Sequence, residues 1–297
     1  MDFSANISAQ NNQNGRENAL HNGGEGGSEE RDFSLEAAVN WEQQQLQIEL
    51  SVPIRKLELQ TRYYVNRVIE SNFSVWLYDS VKNLPINSQQ TFKDFWGSDV
   101  FKSPYDFLEA ILKKKYAVFD PDFKSFRAVY EVNLYPDLVK IWVNDSFRGA
   151  SLPAAILSQD ATEFSGLIIY VEDALPIRGE SYQMAKLKPA IFPRIYDENL
   201  NLLVNHHHIH KEVLLERGML RYDLKSNADK HRELVGALPL RIVARELFGK
   251  HPTDIIISKS DADSLLENIH ARKALREGRI LVLYESDPQS ELYLGEK

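Results

Sequence analysis

The chain has 297 residues, of which 43% are hydrophobic and 26% are charged, and its formal net charge is -8. This composition is typical of a folded globular protein, and the negative charge argues against binding to nucleic-acid phosphates or anionic lipid. The chain contains no cysteine, which excludes disulfides, thiolate nucleophiles and cysteine-ligated metals. No apolar run approaches the roughly 20 residues that a membrane-spanning helix requires.

The first segment, residues 1–31, is rich in Asn, Gln, Gly and Ser and has very few large apolar side chains. Such a segment cannot offset the entropy cost of ordering by burial, so we predict a disordered polar tail. It shows neither the basic region nor the apolar segment of a signal peptide. The protein is therefore expected in the cytoplasm if the sequence is native, or outside it if a signal has been removed.

A first subdomain is predicted over residues 32–150. Alternating apolar residues from Leu46 to Val52 predict a half-buried strand. Apolar residues recur at four-residue spacing from Val65 to Val81, which is typical of a long amphipathic helix. One or two shorter helices are predicted between Thr91 and Tyr116.

Asp120-Pro121-Asp122 is a strong turn signal between two β-rich runs, residues 116–119 and 128–134. We therefore predict a β-hairpin there. Residues 136–143 fit either a short helix or an edge strand. Gly149 to Pro153 marks the seam before the next subdomain.

The second subdomain is predicted over residues 151–297. The apolar run from Gly166 to Val171 is typical of a strand covered on both faces. Asp197-Glu198-Asn199 predicts a hairpin turn between residues 189–196 and 201–204.

Four further elements complete this subdomain. In addition to the short strand at residues 219–222, they are a helix within 234–248, a strand at 253–258, a helix opened by Ser260, and a strand at 278–284. The pattern as a whole predicts an α+β (mixed α/β) fold, with a mixed sheet packed by amphipathic helices. The two subdomains could equally form one continuous domain.

The most conspicuous polar cluster is His206-His207-His208-Ile209-His210. If these residues continue a strand, then His206, His208 and His210 share a face and could converge on one metal ion. The alternative is a polar loop before a helix from Lys211 to Arg217.

Familiar catalytic motifs are missing from the sequence. It contains no Gly-x-Ser-x-Gly elbow, no His-Glu-x-x-His pair and no Ser-x-x-Lys. No cofactor is predicted. An enzyme whose acid pair is brought together only by folding remains an alternative.

Several segments in the second half carry a family resemblance. In chain order they are Ser165–Val171, Leu187–Glu198, Arg217–Tyr222, Thr253–Ser258 and Glu277–Val282. This order resembles bacterial cell-envelope proteins of the spirochaete type, related to the small envelope lipoprotein group and to the N-terminal domain of the flagellar T-ring protein. The resemblance implies a periplasmic or envelope location, envelope or flagellar proteins as partners, and no catalytic residues.

These observations leave three hypotheses. The preferred one is a non-enzymatic, envelope-associated protein that acts as an interaction or assembly module. The second is a metal- or small-ligand-binding module that uses the histidine cluster. The third is the enzyme with an acid pair.

Overall fold

A computed structural model of the chain describes residues 34–54, 81–96, 110–158 and 162–285, together with residues 62, 63, 65–67, 69 and 78. The predicted tail and most of the predicted helix from Val65 to Val81 lie outside these residues. The helical positions that are described include Val65, Ile69 and Val81, and all three side chains are buried.

The first sheet is antiparallel. Its strands are β1 (Ser34–Asn40), β2 (Gln45–Pro53), β3 (Lys113–Phe119) and β4 (Ser125–Asn133). Their order across the sheet is β1-β2-β4-β3. The predicted alternation in β2 is confirmed, because Leu46, Ile48, Leu50 and Val52 are all buried and alternate residues of a strand share one face.

The hairpin predicted around Asp120-Pro121-Asp122 is confirmed as the β3–β4 connection. The Asp120 carboxylate accepts a hydrogen bond from the Ser125 hydroxyl across the turn, and the Asp122 carboxylate accepts one from the Lys124 N–H. Before the hairpin lies helix α1 (Phe92–Trp96), which falls within the segment predicted to hold one or two short helices, and residues 97–109 of that segment lie outside the described residues. After β4, residues Leu138–Ile141 form a 3-10 helix. Of the two alternatives predicted for residues 136–143, a short helix or an edge strand, the structure therefore shows the helix.

The second half contains ten strands within the described residues. They are β5 (Gly166–Tyr170), β6 (Leu175–Pro176), β7 (Met184–Ala185), β8 (Ile195–Asp197), β9 (Leu202–Val204), β10 (Arg221–Leu224), β11 (Pro239–Val243), β12 (Glu246–Phe248), β13 (Asp254–Ile257) and β14 (Ile280–Tyr284). A parallel sheet has the order β10-β14-β5-β11, a mixed sheet has the order β12-β13-β8-β9, and β6 pairs with β7.

The helices of the second half are short. They are α2 (Lys211–Arg217), α3 (Arg232–Val235), α4 (Lys259–Glu267) and α5 (Ile269–Arg276), with 3-10 helices at His206–His208 and Lys225–His231. The fold is therefore mixed α+β, as predicted. No helix in the described ranges has the length and apolarity needed to cross a membrane.

Two central strands, β5 and β14, are covered on both faces, which confirms the prediction for the run beginning at Gly166. Ile168 and Leu281 pack with Val235 on one face, while Leu167 and Val282 belong to the main core on the other. Such strands need apolar residues at every position rather than at alternate ones.

The helix predicted within residues 234–248 was largely wrong. Only Leu234 and Val235 lie in a helix, and the rest of this segment contains β11 and β12. The backbone of β11 pairs with that of β5, which is distant along the chain. This pairing, which the local sequence does not show, makes the segment a strand rather than a helix. Gly249 adopts φ +99 after β12 and so ends a strand, not a helix.

One hydrophobic core joins the first sheet to the second half. It includes Trp41 beside β2, whose ring lies 5.6 Å from that of Tyr222 in an edge-to-face contact. Backbone hydrogen bonds from Ile191 to Pro85 and from Phe192 to Ile86 tie the two halves together close to the histidine cluster.

Candidate functional site

A cleft of about 320 Å³ lies beside the histidine cluster. Its walls come from Phe147 and residues 149–151, from His207–Lys211, and from Arg276 at the end of α5. Three separate stretches of chain therefore meet here. The cleft is open to solvent and lined mainly by polar and cationic groups.

The 3-10 helix at His206–His208 is set up by the residue before it. Asn205 is extended, and its side-chain oxygen accepts a hydrogen bond from the His207 N–H at 3.0 Å. In return, Nδ1 of His208 accepts one from the Asn205 N–H at 3.1 Å. This reciprocal arrangement is a capping box, with histidine in the role usually taken by Glu or Gln.

The cap also determines the protonation of His208. Because Nδ1 accepts a hydrogen bond, the neutral ring must carry its proton on Nε2. Burial, and then the nearby His207, lowers the pKa of His208, so the neutral form is favoured. His208 therefore contributes an N–H donor on a ring that lines the cleft.

His206 turns away from the cleft into an aromatic stack. Its ring lies 4.4 Å from that of Phe192 at an angle of 22°. Burial, together with the neighbouring His207 and Arg194, lowers the pKa of His206 to about 3. His206 is therefore a neutral packing residue.

The remaining groups give the cleft a positive character. Nδ1 of His207 lies 2.9 Å from the Arg148 carbonyl oxygen, which can only accept, so this nitrogen donates. Lys211 has one ion pair, at 3.5 Å, with the exposed carboxylate of Asp145. Within the part of the chain that the structure describes, Arg276 has no carboxylate within ion-pair distance.

The structure brings two of the three predicted metal ligands to the cleft, His208 and His210, and places the third elsewhere. The premise of a continued strand was wrong, because residues 206–208 form a 3-10 helix with three residues per turn, and His206 and His208 therefore face different ways. In addition, the Nδ1 lone pair of His208 is already used by Asn205. Among the described residues, no group of three or more His, Asp or Glu side chains is placed to hold a metal ion.

Buried carboxylates lie outside the cleft and serve the fold. Asp197 accepts hydrogen bonds from Asn199 and Asn201 in the β8–β9 turn. Asp223 lies 2.5 Å from Nε2 of His231, and Asp254 accepts bonds from neighbouring groups described below. None of the three lines the cleft.

Sequence reasoning identified the histidine run but missed most of its surroundings. Phe147, residues 149–151 and Arg276 carry no motif, and they lie far from the histidines along the chain. The one local signal was Lys211, which directly follows His210.

The fold and the site together define a mixed α+β protein with a basic cleft beside a cluster of histidines. Comparison with protein families gives two matches. Residues 32–141 match the N-terminal domain of Treponema pallidum Tp0624, and residues 166–286 match the second domain of the same protein. Each match covers less than half of the chain, and they follow one another without overlap.

These matches indicate a spirochaete-type protein family and attach no function to it. Neither match is to an enzyme family. No curated protein matches the chain significantly. Residues 142–165, between the two matched regions, are called the linker below.

Proposed function

We propose that the protein is a non-enzymatic interaction module of the spirochaetal cell envelope, where it binds another envelope or flagellar protein. The observation that carries this proposal is an exposed apolar surface formed by the linker and the start of α5. It consists of Ile156, Leu157 and Ile269, which we call the linker patch. Ile156 is 90% exposed, although isoleucine is among the residues most often buried.

The chain on both sides of Ile156 and Leu157 is held in place by hydrogen bonds. The Arg272 guanidinium donates to the Pro153 carbonyl at 2.8 Å, and the Ser158 N–H donates to the Glu267 carbonyl at 2.9 Å. The second bond places Leu157 beside the junction of α4 and α5, where Ile269 is also exposed.

This anchoring favours binding. A segment that is already ordered loses less conformational entropy on association than a free loop. Burying one aliphatic side chain of this size contributes about 1.5–3 kcal/mol. Two or three such residues at the centre of an interface would supply a substantial share of the binding free energy.

The proposed location rests on different support. The order of segments in the second half resembles envelope proteins, and the two family matches point to spirochaetes. We therefore infer that the protein acts in the periplasm or on the envelope, in flagellar or envelope assembly.

In-cell photo-crosslinking combined with fractionation tests this proposal. A photoreactive amino acid is placed at Leu157, with Val118 on β3 as the matched control, since these positions are 46% and 49% exposed. We expect one discrete crosslinked product from position 157, in the envelope fraction, and none from position 118.

Ile156→Asp should abolish that product without changing the far-UV circular dichroism of the purified protein, because Ile156 contributes little to the core. Equal products from both positions, or a protein found only in the cytoplasmic fraction, would contradict the proposal.

A further inference from the structure

The cleft beside the histidine cluster presents hydrogen-bond donors and positive charge from several sides. Its lining residues include Lys211 and Arg276, which carry an ammonium and a guanidinium group, and His208, whose neutral ring carries its proton on Nε2. The Lys211 ammonium lies 3.5 Å from the exposed Asp145 carboxylate, which a ligand would have to displace. Ser151, whose side chain carries a hydroxyl, is also among the lining residues. No acidic residue is among those that line the cleft, although the protein as a whole carries a net charge of -8.

This donor set matches the chemistry of a phosphate group. Guanidinium and ammonium groups form strong charge-assisted hydrogen bonds to phosphate oxygens, and arginine can engage two oxygens at once. A divalent metal would instead need lone pairs, and His208 has none to offer because Asn205 occupies its Nδ1. The same cap keeps the His208 donor in place without a bound ligand.

The size of the cleft adds a second constraint. Its volume of about 320 Å³ lies at the lower end of the range for small-molecule sites. The space therefore accommodates a phosphate together with a small organic group. Phe147, whose ring stacks on His207 at 5.2 Å, is among the apolar residues of the wall, together with Ala150 and Ile209.

We propose that this cleft is a binding site for a small phosphomonoester, with Arg276 and Lys211 as the principal phosphate ligands and His208 as a neutral donor. This site is separate from the linker patch and does not depend on the protein-docking role proposed above.

Isothermal titration calorimetry of the full chain tests the proposal. The probes are inorganic phosphate, glycerol 3-phosphate and, as the uncharged control, glycerol. We expect both phosphate probes to bind and glycerol to give no signal. A higher affinity for glycerol 3-phosphate identifies an ester as the ligand, whereas equal affinities identify phosphate itself as the part recognised.

Two variants on the same helix separate specific from general electrostatics. Arg276→Met and Lys273→Met each remove one positive charge from α5, but only Arg276 lines the cleft. Loss of a charge-assisted hydrogen bond predicts at least a tenfold weaker affinity for Arg276→Met. Lys273→Met should change it less than twofold, and Lys211→Met should behave like Arg276→Met.

Three results would overturn the proposal. The first is that neither phosphate probe binds at concentrations of about 10 mM. The second is an unchanged affinity in both cleft variants, and the third is a loss of affinity in Lys273→Met equal to that in Arg276→Met. All three side chains are at least partly exposed, so folding of the variants is readily verified by circular dichroism.

Discussion

At the scale of single residues, Asp254 shows how a buried carboxylate serves the fold. Its side chain accepts hydrogen bonds from the Ser88 hydroxyl at 2.7 Å, from the Arg194 N–H at 3.0 Å and from the Thr253 hydroxyl at 3.2 Å. Burial raises the pKa of Asp254 above its ordinary value of 3.8, and these hydrogen bonds offset the rise only in part. The bond to Ser88 links the segment before α1 to the start of β13.

A raised pKa has a defined effect on stability. The folded state holds its proton on Asp254 more tightly than the unfolded state, so the contribution of this group is fully present below pH 3.8 and is lost as the pH rises through the folded pKa. Asp254→Asn keeps the shape, can donate to the Ser88 oxygen and cannot ionise. We therefore expect the free energy of unfolding of this variant, relative to wild type, to increase from pH 4 to pH 7.

Urea denaturation at several pH values measures this difference. Asp173→Asn is the control, because the Asp173 side chain is half exposed and pairs with Lys186 on the surface. A difference between Asp254→Asn and wild type that does not vary with pH would show that the carboxylate is equally ionised in both states.

The histidine cluster shows what residue-level reasoning could and could not supply. A run of four histidines in five positions identified the place of the cleft. The direction of each ring depended on Asn205, whose cap turns the chain into a 3-10 helix, and on Phe192, which stacks on His206. Neither contact has a sequence signature. Sequence reasoning therefore could not show that the His206 ring packs away from the cleft that His208 and His210 line.

At the scale of secondary-structure elements, Gly166 determines how closely β5 approaches the end of α3. A Cβ atom on this residue would lie 2.5 Å from the Val235 carbonyl oxygen and 2.6 Å from the Val235 Cα. Both are backbone atoms, which cannot move aside as a side chain can. The adjacent Ser165 hydroxyl donates to that same carbonyl at 2.7 Å, which fixes the two elements together.

Gly166→Ala should therefore lower the free energy of unfolding by about 3 kcal/mol, as overpacking in well-packed interiors does. Gly149→Ala is the matched control, since its Cβ would lie at an ordinary contact distance of 3.6 Å from the nearest atom, the His207 carbonyl oxygen. Chemical denaturation of both variants provides the measurement. A loss below 1 kcal/mol for Gly166→Ala would mean that β5 and α3 can separate at little cost.

Elements with local signals were predictable from the sequence. The β3–β4 and β8–β9 hairpins follow from the turn residues between their strands. The helix α4 was predicted to open at Ser260, but its N-cap is Ser258, whose hydroxyl accepts from the Asp261 N–H. The β11 strand was missed because what defines it is parallel pairing with β5, which lies about seventy residues earlier in the chain.

At the scale of the whole molecule, the two matched regions share one hydrophobic core. Side chains of β2 and β4 belong to the same buried cluster as those of β5 and β14. The boundary at residue 150 between two subdomains stays a prediction, and unfolding experiments can test it.

We expect the chain to unfold in one cooperative transition. Pulse hydrogen-exchange mass spectrometry along a urea titration should show peptides from β2 and β4 losing protection at the same midpoint as peptides from β5 and β14. If the first sheet lost protection at a clearly lower urea concentration, the two matched regions would be independent folding units.

Composition and charge correctly bounded the class of the molecule, because they report the balance of burial and solvation over the whole chain. They carried no information on how three sheets are arranged, since that depends on contacts between distant segments. Composition also does not identify the binding partner or the cellular location of the protein, and the experiments proposed above test both.

The linker contributes to two surfaces at once. Residues 149–151 of the linker form a wall of the cleft, and Ile156 and Leu157, a few residues further on, belong to the linker patch. Thermodynamic linkage requires that any influence of a bound phosphomonoester on partner affinity be matched by an equal influence of the partner on phosphomonoester affinity. Measuring either constant with and without the other ligand would therefore reveal whether this short stretch transmits a signal or only joins two independent sites.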